Sequence, residues 1–432
     1  MKTSMFIKAL MLGGALAVGA AAPASADALG DRLGALLTSH ERIKAARADL
    51  EAAQANVDVA RGGYYPTASV TGNVGNEHIR THSSDTTTSM AQREVDLNLS
   101  QTLYDFGATD ASVGGAHLAV RQAETALQKT EQDVLLAAMS AELNLASAKR
   151  VFDFQTKSEA SIKRQTELED ARVKRGSGFS TDVLQAKTQL AGAQAARVRA
   201  QGTLQQAANR YRAVYGVAPA DLSGWGDVNV SAANIPVDVD GVVKLALENN
   251  HQVRASQLQT EIANTEIERS FASGYRPTLS ASADQKYKRD VSGTEGFKNE
   301  TLVKVELNYS FNFGLTAANT LKAAKAGHAG SSSRLKDARD QTEEQARNAW
   351  QNLQTARENA NFLENQANIA GEFLTLARKE RTLGQRSLID VLAGETSLIN
   401  AQAAADRART DVSIATLNLL GVMGQLDLSV LQ

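Results

Sequence analysis

The chain has 432 residues, with 46 Lys and Arg against 48 Asp and Glu and a formal charge of −2. So even a balance leaves no electrostatic footprint for nucleic acid or for an anionic surface as the main partner. The absence of Cys excludes disulfides, thiolate metal sites, cysteine catalysis and an anchor built on an N-terminal cysteine.

In chain order, residues 1–26 come first, with Lys2 and Lys8 ahead of an apolar run that ends in Ala24-Ser25-Ala26. That is the layout of a secretory signal peptide, with cleavage expected after Ala26. The run is shorter than the ~20 residues a spanning helix needs, and no later stretch is both long and uncharged. A mature chain that crosses a membrane would then have to do so as a β-barrel.

A short phrase next marks the organisation. "GYYPT" at residues 63–67 returns as "GYRPT" at 274–278. Other pieces recur in the same order at nearly the same offset. "ALLTSH" ending at His40 matches "ALENNH" ending at His251, and Phe106-Gly107 matches Phe313-Gly314. "GFSTDVL" ending at Leu184 matches "RSLIDVL" ending at Leu392, and "GVAPADLS" from Gly216 matches "GVMGQLDLS" from Gly421. The chain therefore reads as a tandem duplication of roughly 200 residues per copy, far longer than a solenoid repeat. The expected divisions are a signal peptide at 1–26, a first copy at 27–215, a linker at 216–240, a second copy at 241–420 and a C-terminal segment at 421–432.

Within the first copy, the residues after Pro66 alternate. In "EVDLNLS", Val95, Leu97 and Leu99 point one way and Glu94, Asp96, Asn98 and Ser100 the other. The second copy repeats this, with Val303, Val305, Leu307, Tyr309, Phe311 and Phe313 opposed to Lys304, Glu306, Asn308, Ser310 and Asn312. One face suits lipid and the other water. Glu94, Asp96, Lys304 and Glu306 are candidate lumen-lining residues. Each strand is expected to run ~10 residues, with polar loops at 81–90 and 289–299.

The five prolines are Pro23, Pro66, Pro219, Pro236 and Pro277, so none interrupts the Ala-, Gln-, Glu- and Arg-rich stretches from Ala108 and from Leu315. Strong helix formers without a breaker predict long helices. The first should run from Ala108 to about Lys174, on the order of 100 Å, and turn at "KRGSGFSTDV". There Gly176 and Gly178 stop one helix, and Ser180 or Thr181 caps the next. The second copy turns at "LGQRSLIDV", where Gly384 stops the helix and residues 387–390 resemble a capping box. Each copy thus supplies two strands and one long helical hairpin. Four strands cannot close a barrel, which needs about eight, and open edges are not tolerated in lipid. Two copies would give eight strands and three would give twelve.

With duplicated strand–strand–hairpin units after a signal peptide, the sequence resembles the TolC family of outer membrane efflux and secretion channels. The most specific pieces are "SQTLYDFGATDA" at the strand-to-helix corner and the two turns, "RGSGFSTDVLQAKTQL" and "RTLGQRSLIDVLAGETSL". The resemblance implies a mainly α chain whose four strands join a trimeric transmembrane β-barrel, continued by a long α-helical periplasmic barrel. Small mixed structure in the 216–240 linker region and at the C-terminus would form a belt. It also implies a homotrimer, a periplasmic adaptor, an inner-membrane ABC transporter or proton-driven pump, outer membrane lipid around the barrel, and no cofactor. By the same resemblance, the tips would hold a gate at Thr181, Asp182, Arg386 and Asp390. An adaptor would dock around Gly176, Gly178, Ser180, Gly384, Ser387 and Leu388. The family's tyrosine five residues before the gate arginine is Arg381 here, and the aspartate three after Asp390 is Ala393.

Other classes fit less of the sequence. His78 and His82 would make an i, i+4 metal pair only on a helix, and they sit in or beside a polar strand loop. No phosphate-binding loop and no nucleophile elbow occurs, so the chain does not read as an enzyme. A periplasmic coiled-coil spacer without a pore would explain the helices but not the alternating strands.

Overall fold

The computed structural model describes residues 24–81, 86–177, 179–219, 235–311 and 313–428. Gly178, most of the expected signal peptide, much of the expected linker and the last residues of the C-terminal segment lie outside them. The chain runs α1 (Ala24–Ser39), α2 (Glu41–Arg61), a single 3-10 turn (Gly62–Tyr64), β1 (Thr67–Thr81), β2 (Thr86–Tyr104), α3 (Ala108–Lys174) and α4 (Ser180–Tyr215). The same order then repeats as α5 (Val239–Asn249), α6 (His251–Tyr275), β3 (Thr278–Val291), β4 (Thr294–Asn308), α7 (Thr316–Thr382) and α8 (Leu388–Val422). Both α3 and α7 contain 67 residues, about 100 Å each.

The repeated "GYxPT" phrase sits where α2 and α6 hand over to β1 and β3. Proline fixes its own φ and pushes the preceding residue out of the helical region, which ends the helix on cue. The glycine has a separate cause. A Cβ at Gly63 would lie 3.1 Å from Thr109 Cγ2, and one at Gly274 would lie 3.1 Å from Ala317 Cβ. Thr109 and Ala317 occupy the first turns of α3 and α7. The small residue therefore lets the helix entering the sheet pass close beside the helix leaving it.

The four strands form one antiparallel sheet in the order β1-β2-β3-β4. At 15, 19, 14 and 15 residues they are longer than the ten or so expected from a bilayer's thickness. Thr86 to Met90, read as loop in the sequence, pair with β1. The 3–4 turn shrinks to Ser292 and Gly293. Ladder hydrogen bonds satisfy a polar segment's backbone as well as water does, so the pairing continues beyond the apolar band. At the other end β4 stops at Asn308, and Tyr309, Phe311 and Phe313 lie past the strand in which their alternation placed them.

The helices build a wall. α3 packs against α2, α4, α6 and α8, while α7 packs against α5, α6 and α8. The largest apolar cluster lies midway along this wall. Leu29, Leu33 and Leu36 of α1 and Val242, Val243 and Ala246 of α5 cover Val134, Ala138 and Met139 of α3, Leu353 of α7 and Leu417, Leu419 and Leu420 of α8. α1 and α5 thus form a belt across the middle of the wall. A polar bolt lies in the same belt. The buried Glu142 of α3 pairs with Arg32 of α1 and accepts a hydrogen bond from Tyr215 Oη of α4 at 2.9 Å. Burial, and then the neighbouring Glu142 carboxylate, push the Tyr215 phenol well above its ordinary range.

Candidate functional site

Two places carry the candidate residues: the sheet and the hairpin tips. On the sheet, residues two apart share a face, so the register sorts the side chains. One face carries Val70 and Val74 of β1, Val95, Leu97 and Leu99 of β2, Leu279, Ala281 and Ala283 of β3, and Val303, Val305 and Leu307 of β4. The β2 and β4 members are exposed, Val303 to 74%. An apolar sheet face left that open in a folded chain calls for an apolar medium or partner.

The opposite face is charged and laced across strands. Lys288 Nζ lies 3.5 Å from Glu94 Oε1 and 2.9 Å from Glu300 Oε2. Lys286 Nζ lies 3.7 Å from Asp96 Oδ2, and Lys304 Nζ lies 2.6 Å from Glu306 Oε2. Asn98 Nδ2 donates to Asp284 Oδ1 at 2.5 Å. The structure therefore gathers Glu94, Asp96, Lys304 and Glu306 on one polar face. It adds Asp284, Lys286, Lys288 and Glu300, which the sequence reading passed over. Their signal is the alternation "SASADQKYK", weakened because alanines fill part of the apolar side.

Aromatic residues crowd the end of the sheet nearest the helices. The rings of Tyr104 and Phe106 are 4.5 Å apart, and those of Tyr309 and Phe311 are 4.4 Å apart, both edge to face. Tyr287 and Phe297 stand exposed on the apolar side toward the far end. Amphipathic rings at both margins of an apolar band are how a membrane barrel meets its two interfaces. Among the described residues no helix is long and apolar enough to cross a membrane. His78 lies in β1, a strand on which i, i+4 spacing does not bring two rings together, and His82 lies outside the described residues.

At the tips, α3 and α7 end identically. Gly176 has φ +78° and Gly384 has φ +79°, the left-handed conformation that a Cβ disfavours. Ser177 N–H bonds Arg172 O at 3.0 Å and Gly176 N–H bonds Val173 O at 2.9 Å. Gln385 N–H bonds Glu380 O at 2.9 Å and Gly384 N–H bonds Arg381 O at 3.1 Å. These are paired Schellman closures. The return helices start differently. Ser387 caps α8, its Oγ accepting from Asp390 N–H at 3.2 Å. In α4, the N-cap is Phe179, with no side-chain cap, and Ser180 is the first helical residue. The expected Ser180 or Thr181 cap is therefore not made. A carboxylate in each first turn, Asp182 and Asp390, still meets the positive end of the helix dipole.

The gate candidates are spread over this surface. Thr181 and Asp390 are exposed and Asp182 is half-buried. Arg386 Nε donates to Glu380 Oε2 at 2.5 Å, and its guanidinium lies 5.4 Å from the centre of the Phe373 ring. Among the described residues, no hydrogen bond or ion pair joins Arg386 to Thr181 or Asp182. Leu388, expected to offer docking surface, is only 3% exposed and packs with Ile162, Ala186 and Leu392. Its side chain ties the two hairpins together and is closed to a partner. Lys174 Nζ, 2.7 Å from Asp170 Oδ2, donates a hydrogen bond that holds that carboxyl below its ordinary range.

The tip's most buried ion pair involves a residue the sequence reading did not single out. Glu169 of α3 is 4% exposed. Its Oε2 accepts from Arg381 Nη2 at 3.1 Å and lies 3.5 Å from Arg172 Nη1. Arg381 also donates through Nη1 to the Arg386 carbonyl at 3.2 Å. Arg381, where the resemblance leads one to expect tyrosine, thus clamps one hairpin to the other and braces the second turn. Further up, Arg378 Nη2 lies 2.6 Å from the buried Glu395.

Between α3, α6, α7 and α8 lies a cavity of about 1060 Å³ edged by amides, among them Gln132, Gln345, Asn348 and Asn418, and by His251. Burial, with Arg254 and Lys129 adding to it and Asp133 opposing, lowers the His251 pKa below 6.5. Among the described residues, no cluster of His, Asp or Glu is arranged to hold a metal ion.

The comparisons with known proteins agree with this geometry. The chain is 26% identical over 399 residues to outer membrane efflux protein BepC of Brucella suis biovar 1 (strain 1330), covering 91% of this chain and 85% of that protein. It is 25% identical over 343 residues to outer membrane protein TolC of Escherichia coli (strain K12), covering 77% of this chain and 69% of that one. The solved structure of the outer-membrane channel OprN shares the fold, with a TM-score of 0.79 at 17% identity over 94% of this chain and 91% of the other. The model of the family "Outer membrane efflux protein" matches residues 33–217 and 242–425, so the chain belongs to that family.

Proposed function

We propose that three copies of this chain close a twelve-stranded barrel in the outer membrane. Their helical walls continue it as a tunnel across the periplasm, after removal of a signal peptide. The observation that carries the reading is the four-stranded sheet with an exposed apolar face, a charged opposite face and open edges at β1 and β4. An open edge cannot rest in hydrocarbon, so β1 of one copy pairs with β4 of the next. The duct is passive and performs no chemistry. It accepts protein or small-molecule cargo from an inner-membrane ABC transporter or proton-driven pump, through a periplasmic adaptor that docks at the tips. Glu94, Asp96, Lys304 and Glu306 line the lumen in this arrangement. Thr181, Asp182, Arg386 and Asp390 narrow the periplasmic entrance, where Arg386 changes partner when three tips converge.

The test is single-channel recording of the detergent-purified protein in a planar bilayer, with its oligomeric mass measured on the same sample. Steady pores from a trimer support the duct. A soluble monomer or dimer that never inserts would favour a helical periplasmic spacer instead. Asp182→Asn with Arg386→Gln should raise the conductance of the wild-type pore severalfold; unchanged conductance removes these two residues from the gate.

A further inference from the structure

One rung of the sheet carries a charge pair that neither the duct nor the gate uses. Arg93 of β2 lies directly opposite Arg289 of β3. Counting by twos along each strand puts both on the face of Val95, Leu97, Leu99 and Tyr287, and both are exposed. Directly opposed side chains have Cβ atoms about 4.5–5.5 Å apart, where like charges destabilise the pairing.

The rest of the rung does not relieve this. Val74 faces Arg93 on β1, and Phe297 faces Arg289 on β4. Among the described residues, the single acidic contact is Asp290 Oδ2, 3.6 Å from Arg289 Nε, and that carboxylate also accepts from Gly296 N–H at 2.8 Å through Oδ1. Among the described residues, no hydrogen bond or ion pair engages Arg93. Two exposed arginines therefore share one rung, with a counter-charge at Arg289 alone among the described residues, at the level of Tyr287 and Phe297, where the apolar band ends. That margin is the one away from the helices.

We propose that Arg93 and Arg289 together bind the phosphate of an outer-leaflet lipid headgroup. The inference rests on the barrel reading, which turns this face toward lipid and this margin toward the cell surface. A guanidinium fork binds phosphate oxygens bidentately. A terminal phosphate monoester, with more than one negative charge and three free oxygens, satisfies two forks better than a diester does. The acyl chains of such a lipid lie along Val74, Val95 and Tyr287, so affinity comes from both ends of the ligand. The anion also removes the repulsion across the β2–β3 rung, which makes the lipid part of the sheet's stability.

The test uses the full chain in phosphatidylcholine nanodiscs containing either phosphatidic acid (a phosphate monoester) or phosphatidylglycerol (a diester). Lipid retained by the released protein is counted by native mass spectrometry. Wild type should retain phosphatidic acid over phosphatidylglycerol. Arg93→Gln with Arg289→Gln should retain about ten-fold less phosphatidic acid, while Lys298→Gln on the charged face retains as much as wild type. Equal retention by wild type and the double variant overturns the site. An equal loss in Lys298→Gln overturns it too, by reducing it to net charge. Displacement by millimolar inorganic phosphate without loss of acyl-chain dependence still supports a lipid site, whereas full binding of free phosphate alone overturns it. Planar-bilayer recording of both variants separates the two levels. Pores with unchanged lipid retention refute only the arginine site, and wild-type protein that never inserts refutes the barrel and this site with it.

Discussion

The middle of the helical wall and its tips are made from the same hairpins but held by different forces. In the middle, α1 and α5 lay leucines and valines over α3, α7 and α8, and Leu33, Leu353, Leu417 and Leu419 are fully buried. At the tips the apolar clusters shrink to a few side chains, such as Ile162, Ala186, Leu388 and Leu392, and arginine–carboxylate pairs take over the joining. Apolar burial is non-directional and has no alternative partner to exchange with. A charged pair that water reaches, such as Arg386 with Glu380, can trade one partner for another at modest cost, whereas the buried carboxylates of Glu169 and Glu395 hold their arginines in place. The wall is therefore joined by apolar burial at its waist and by arginine–carboxylate pairs at its end, of which Arg386–Glu380 is the one water reaches.

The largest effect should come from the waist. Leu419→Ala removes a fully buried side chain from the belt and should cost about 2–5 kcal/mol, read as a lower unfolding midpoint. A loss below 1 kcal/mol would show that the belt is loosely packed. Glu169→Gln comes next. It leaves Arg381 facing a neutral amide and should cost about 1–2 kcal/mol after allowance for the half-exposed Arg172, with a measurable rise in pore conductance. In a double-mutant cycle with Arg381→Gln, the two losses should be strongly non-additive. Additive losses would mean that the clamp is incidental.

The smallest effect is a pH dependence at His251. Its folded pKa is lowered, so between that value and the unfolded 6.5 the unfolded chain binds the proton more readily. Its contribution to stability is therefore full above pH 6.5 and is lost as pH falls toward the folded pKa. Arg254 and Lys129 sharpen the effect and Asp133 blunts it. Comparing melting midpoints at pH 5.5 and 7.5, the drop on acidification should be smaller in His251→Gln than in wild type. Equal drops would place the acid sensitivity elsewhere.

Most of the architecture was legible because it rests on local signals. The bounds of α3 follow from a proline-free stretch rich in helix formers between Gly107 and Gly176, and the strand faces follow from Val95, Leu97 and Leu99 alternating with polar residues. What stayed hidden depends on distant pairing. The Arg93–Arg289 rung exists only through the β2–β3 register, and the Glu169–Arg381 clamp joins residues more than 200 positions apart. Phe179 in place of Ser180 at the N-cap of α4 was also out of reach, because several polar residues in a row offered equivalent starts. The strands were underestimated because membrane thickness limits the apolar band and does not limit the hydrogen-bonded ladder.

The equal length of α3 and α7, 67 residues each, has a consequence for how such a chain can change over time. The arms match in pairs, α3 with α7 and α4 with α8 at 36 and 35 residues, so lengthening one hairpin alone by about seven residues per arm would carry its tip about 10 Å beyond the other. A shift in the depth spanned would then require paired insertions in α3 and α4 together with α7 and α8. The repeated element order puts the two tips at the same distance from the sheet, and side-by-side packing of the two hairpins makes that equality matter.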